Sequence, residues 1–224
     1  MTQKTQATTV SDLLTRWLHH ELARRTGYRW DSSAARYRDK RTGRFVPETR
    51  VLSTVESFNA DAIAGNIGSL TDDLIDGKIN LRQWQSGMAS ELKDGYLVNA
   101  MAGRGGRNAM TQADFGRQGG RLKAEYSALN NFAGEIEAGD LSEAQIRARA
   151  KMYGKGPRTA YYDGQTAANG VAGLTEERRN LGQADHCGPC IGFAGQGWQP
   201  IGSLPEPGTE CEGRNNCKCI KIFR

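Results

Sequence analysis

Five cysteines, all within the last 38 residues, are the side chains in this sequence best suited to chemistry. They run Cys187-Gly188-Pro189-Cys190, then twenty residues, then Cys211, Cys217 and Cys219. A C-x-x-C turn presents two thiolates to one ion. Further ligands then come from a second segment, so the ion pins two distant stretches of chain together. Cys217-Lys218-Cys219 is placed to supply both from a tight turn or strand end. The expected ligands are therefore Cys187, Cys190, Cys217 and Cys219, with zinc the default ion for four thiolates in a small knuckle. Cys211 is either a free thiol or a replacement for Cys217 or Cys219. His186 adjoins Cys187 but points away in most turns, and is left outside the ligand set.

Three other chemistries fit cysteines at this spacing. Cys-Gly-Pro-Cys matches a thiol–disulfide redox turn, which should follow a strand of a βαβ unit and begin a long helix. Ile191 to Gly197 holds too many glycines for that helix, and the chain upstream reads as helical. Four of the cysteines could instead form two disulfides, or hold an iron–sulfur cluster. A four-thiolate ion has no vacant position for a substrate, and no acid/base pair or nucleophile with its base is evident elsewhere. The chain reads as a non-enzyme.

The tail that carries the cysteines needs such a staple. From Leu181 to Arg224 its apolar side chains are few: Ile191, Phe193, Trp198, Ile201, Leu204, Ile220, Ile222 and Phe223. That is too little for an independent core. The body before it is different. Ser11 is placed to cap a first helix with Leu14, Trp17, Leu18 and Leu22 on one face. His19 and His20 are adjacent, point in different directions and form no joint metal site. Residues 28–46 break the helical period and predict an irregular segment or short hairpin, with a turn at Arg41–Arg44.

Pro47 then opens a helix over about 48–76, with Val51, Val55, Phe58, Ala62, Ile63, Ile67, Leu70 and Leu74 as its stripe and Gly65 and Gly68 as a possible break. Asn80 caps the next helix, whose inward residues are Leu81, Trp84, Met88, Leu92 and Tyr96. Its Gly87 and Gly95 weaken it or mark close helix contact. Gly103–Arg107 reads as a flexible basic connector, since no strand precedes it as a phosphate loop requires. Thr111 and Asp114 start a long helix with Phe115, Leu122, Leu129, Phe132 and Ile136. Ser142 and Gln145 form a capping box flanked by a Leu141/Ile146 staple. Pro157 opens a last helix to about Ala172. These stripes are core packing, not cofactor sites.

The fold class is mainly α: a long-helix body with a small C-terminal cysteine-rich metal knuckle containing short β elements. Three regions follow, a basic N-terminal helix and irregular segment over 1–50, a helical body over 51–172 and the Cys-rich tail over 173–224. No run approaches the roughly 18 apolar residues of a membrane span. The polar stretch Met1–Val10 lacks the apolar core of a secretory signal, which predicts synthesis in a cytoplasm. Net charge is +5. The first 50 residues carry 11 Lys/Arg against 5 Asp/Glu, and the remainder 19 against 20, so the positive excess sits in the first quarter. Arg24, Arg25, Arg36, Arg38, Lys40, Arg41 and Arg44 dominate it, either as a solvated surface or as a face for nucleic acid or an acidic protein.

Arg158-Thr159, Asn180, Asp185-His186-Cys187-Gly188-Pro189-Cys190, Trp198, the Pro205–Pro207 stretch and Cys217-Lys218-Cys219 together resemble the phage head-morphogenesis family, the minor head proteins similar to protein F of phage Mu. Members typically end in an Asp, a C-x-x-C, a proline-bearing loop and a C-[RK]-C close. The resemblance covers roughly 145–224. Tyr37–Val46 also resembles short stretches common in phage virion proteins. The family usually carries His-Pro just before the C-x-C, where this chain has Arg214-Asn215-Asn216 and an extra Cys211. The resemblance implies a virion component near the portal, acting in head assembly. Its partners would be portal, capsid or neck subunits, with viral DNA a possible contact of the basic region and a homo-oligomer possible in the particle. The rival functions are a nucleic-acid-binding zinc module and a thiol–disulfide redox protein.

Overall fold

The computed structural model describes residues 27–31, 33–34, 36–182, 184–213 and 217–224, without the side chains of 48–49, 52–53, 55–60 and 108. The helix expected from Ser11, with His19 and His20, lies outside the described residues, as do Arg24, Arg25 and Arg214–Asn216. So do the side chains of Val55 and Phe58.

The described chain begins with a small antiparallel meander, β1 (Tyr28–Asp31), β2 (Arg36–Asp39) and β3 (Phe45–Val46). Alternation sorts its faces. Tyr28, Tyr37 and Val46 point inward and form a satellite core with Val51. Arg29, Arg36, Arg38 and Phe45 take the other face, where the Arg36 and Arg38 guanidinium groups lie 4.6 and 3.6 Å from the centre of the Phe45 ring. The β2–β3 turn is tied by the Asp39 carboxylate, which accepts from the N–H groups of Arg41 and Thr42, and by Gly43 at φ +68°.

The helical body follows as α1 (Glu48–Ile75), α2 (Leu81–Arg104), a single 3-10 turn (Arg107–Ala109), α3 (Gln112–Glu137), α4 (Glu143–Tyr153) and α5 (Arg158–Val171). Capping boxes close the N-termini of α2, α3 and α4 at Asn80/Gln83, Thr111/Asp114 and Ser142/Gln145, so their first turns satisfy their own backbone donors. Gly77 and Gly139 end α1 and α3 at φ +70° and +74°. Helix α1 runs unbroken through Gly65 and Gly68. The main core holds Ile63, Ile67, Trp84, Met88, Leu92, Tyr96, Leu129 and Phe132. Within it Trp84 packs edge-on to Phe132 at 5.4 Å and donates its indole N–H to Thr71 Oγ1 at 3.2 Å. Leu141 and Ile146 both reach this core, as a staple should.

Three local expectations change. Ala62 and Phe115 are exposed. The buried stripe of α3 contains Asp114 and Gln118 instead, because Arg104 of α2 and Asp163 of α5 meet them there. Gly103 belongs to α2 and not to a connector. A Cβ at Gly103 would lie 1.9 Å from the Tyr161 carbonyl oxygen, and one at Gly164 would lie 2.5 Å from that of Ala100. These glycines let α2 and α5 touch backbone to backbone, and α5 in turn positions the tail.

The tail is built on a second antiparallel sheet, ordered β5 (Gln199–Pro200), β4 (Glu176–Asn180), β6 (Ile220–Phe223), with a short helix α6 (Gly188–Gly195) beside it. Among described residues beyond 172, the buried hydrophobic side chains are Cys190, Leu204, Cys217 and Cys219. Charged side chains fill the rest of the interior. Lys221 donates to Glu177 Oε2 at 3.1 Å, Glu206 Oε1 at 3.2 Å and the Leu204 carbonyl at 2.7 Å, while Glu177 Oε1 accepts from the Leu204 N–H at 2.7 Å. Arg179 donates to the Pro205 carbonyl and lies over the Phe193 ring at 5.4 Å. The long loop through Pro205 and Pro207 is thereby fastened to β4 and β6.

Candidate metal centre

Each cysteine is placed by a definite piece of this scaffold. Cys187 is the N-cap of α6, and Pro189 occupies an early position where its missing N–H costs nothing. Cys190 therefore sits one turn into α6 and faces inward at 1% exposure. The expectation that Ile191–Gly197 would not be helical is corrected: α6 extends to Gly195. A cap and a proline at its start, with few competing contacts, suffice for two turns. Cys217 and Cys219 lead directly into β6, whose register on β4 fixes their position. Gly182 approaches this turn so closely that a Cβ there would lie 2.2 Å from the Lys218 carbonyl oxygen. The body grips the same turn, since Arg158 of α5 donates to the carbonyls of Cys217 and Cys219 and bonds the Tyr162 hydroxyl at 2.8 Å.

The result is one cluster of five free thiols. Cys187, Cys190 and Cys211 lie within 4.8 Å of one another, and so do Cys190, Cys217 and Cys219. Two separations are sharper: Cys187 Sγ to Cys211 Sγ is 3.6 Å, and Cys190 Sγ to Cys217 Sγ is 3.9 Å. Four sulfurs about 2.3 Å from a tetrahedral ion would be about 3.8 Å apart along each edge. The donor set is all sulfur at ion-binding distance, which fits a thiophilic cation. The structure thus brings together all four expected ligands, Cys187, Cys190, Cys217 and Cys219, and adds Cys211.

His186 also belongs to this neighbourhood. Its Nε2 lies 2.7 Å from the Gly182 carbonyl and its Nδ1 lies 3.6 Å from Cys219 Sγ. Its place beside Cys187 in the chain was the available signal, but only the return of Cys219 to the same spot makes the contact.

The electrostatics of the bare thiols are uneven. The backbone N–H of Cys190, ahead of other donors, lowers Cys187 to about 7. Burial raises the Cys190, Cys211 and Cys219 thiols above the usual cysteine value. Most of the cluster is protonated at neutral pH without an ion, so binding one releases protons. An ion bound here closes a network linking α6, the loop at Cys211 and the approach to β6, with no room shown for a substrate among the sulfurs.

Among the described residues no helix is long and apolar enough to cross a membrane. No family model matches the chain, and no curated protein or solved structure does either.

Proposed function

We propose that this chain is a non-enzymatic structural protein of a tailed bacteriophage, a minor head or neck component whose zinc knuckle makes its C-terminal tail rigid enough to hold other virion subunits. The observation that carries the reading is the convergence of five thiols from three chain segments into one buried cluster fixed to α5. The order of those thiols, C-x-x-C and then C-x-C, is also the most specific feature shared with the phage head-morphogenesis family. Separations of 3.6 and 3.9 Å suit a single ion. A cluster of several iron atoms would hold its thiolates farther apart. Zinc is the ion that such thiolate sites commonly take, without redox chemistry of its own. A redox role is less suited to the site: α6 has eight residues and follows no parallel strand.

The exposed helical body would then supply contacts to portal, capsid or neck subunits. Co-sedimentation of the full chain with portal or capsid protein from assembling particles tests this. Co-migration with one virion subunit supports it, and a chain that stays soluble and unattached throughout assembly contradicts it. A second reading is favoured by the meander, whose outer face gathers Arg29, Arg36 and Arg38 around Phe45. That face suits a phosphate backbone, and binding to DNA that weakens steeply as salt rises would support it.

A further inference from the structure

We propose that Cys187, Cys190, Cys211 and Cys217 hold the ion, and that Cys219 remains outside the coordination shell as a thiol hydrogen-bonded to His186. This rests on the metal-centre reading above and names its ligands.

The argument starts from the two shortest sulfur separations. Cys187–Cys211 at 3.6 Å and Cys190–Cys217 at 3.9 Å both match a tetrahedron edge of about 3.8 Å. They share no sulfur. Two edges without a common corner define all four corners of one tetrahedron, so the pair of distances names a complete ligand set. Cys190 lies within 4.8 Å of Cys187 and Cys211 as well, which ties the two edges together.

Cys219 is distinguished by its partner. The Gly182 carbonyl can only accept, so His186 Nε2 carries the ring proton and donates it across 2.7 Å. Nδ1 is then left with a lone pair, 3.6 Å from Cys219 Sγ. That lone pair accepts an S–H. Cys219 therefore has a seat for its proton on a nitrogen acceptor. Four thiolates around a divalent ion already leave a net charge of -2 in a buried site. A fifth thiolate at Cys219, which is fully buried, would add uncompensated charge at high desolvation cost. A neutral Cys219 avoids it.

The test uses the unmutated full chain, reduced, loaded with cadmium-113 in place of the native ion. Proton–cadmium correlation spectra report which cysteine Cβ protons are coupled to the metal. The expected result is one cadmium signal correlated to Cys187, Cys190, Cys211 and Cys217 and not to Cys219. Metal content of single variants provides the second readout. Cys219→Ser should keep one ion per chain, and Cys211→Ser should lose it or bind it at least tenfold more weakly. Correlation to Cys219 in place of Cys211, or two cadmium signals bridged through Cys190, overturns the assignment while leaving the metal centre standing. A chain that takes up no cadmium overturns both.

Discussion

Lys221 has no exposed side-chain surface, and its ammonium is surrounded by the carboxylates of Glu177 and Glu206 and by the Leu204 carbonyl. Removing the cation strands two carboxylates in the interior. Burial already pushes Glu206 above the ordinary carboxylate range. Lys221→Met should therefore destabilise the tail by about 3–5 kcal/mol, seen as a lower urea midpoint for the tail's unfolding. A milder pH effect belongs to the meander. The Arg38 side chain, ahead of other donors, holds the Asp31 carboxyl at about 2. Its folded value is below its unfolded one, so the contribution is present above about pH 4 and is lost as pH falls towards 2. Amide exchange in the meander should accelerate over that window, and Asp31→Asn should flatten the dependence.

Helix α2 carries the mechanical link between body and tail, because its glycines set how closely α5 can lie. Gly103→Ala would force a methyl to within 1.9 Å of a backbone oxygen. The two helices must separate, at a cost of about 1–3 kcal/mol or more. Gly116→Ala on the open face of α3 meets nothing within 4 Å and should stabilise by about 0.5–1 kcal/mol through helix propensity alone. Thermal melts of the two variants should move in opposite directions. The helices themselves were legible because caps and stripes act locally: Asn80, Thr111 and Ser142 each sit three residues before their box partner. The buried face of α3 was less legible, since Asp114 and Gln118 are polar and become interior only once Arg104 and Asp163 arrive. Strand β4 reads Glu-Glu-Arg-Arg-Asn and has no apolar residue to betray it. Its inward side chains, Glu177 and Arg179, are charged and are satisfied by partners 26 to 44 residues away. No local pattern encodes that. The cysteine spacing did reveal a thiolate cluster, while the share of Cys211 and His186 in it depends on a loop path that spacing does not specify.

At the scale of the whole molecule, a well-packed helical body is joined to a tail whose buried hydrophobic side chains are three cysteines and one leucine. Buried ion pairs contribute little net stability against the cost of desolvating them. Thiolate coordination is of a different size, about 10 kcal/mol or more for a structural zinc. The ion is accordingly the main stabiliser of residues 181–224. Cys190 belongs to both sulfur triads, so Cys190→Ala should open this segment to protease while α1–α4 keep their protection. Unchanged resistance in the tail would count against that dependence. The most direct measurement is native mass spectrometry of the reduced, full-length chain, before and after a strong chelator. A mass one zinc ion heavier than the polypeptide is predicted, with chelation removing the ion and exposing the cluster's thiols to alkylation. A bare polypeptide mass from the start, with a tail as protease-resistant as the body, would contradict it.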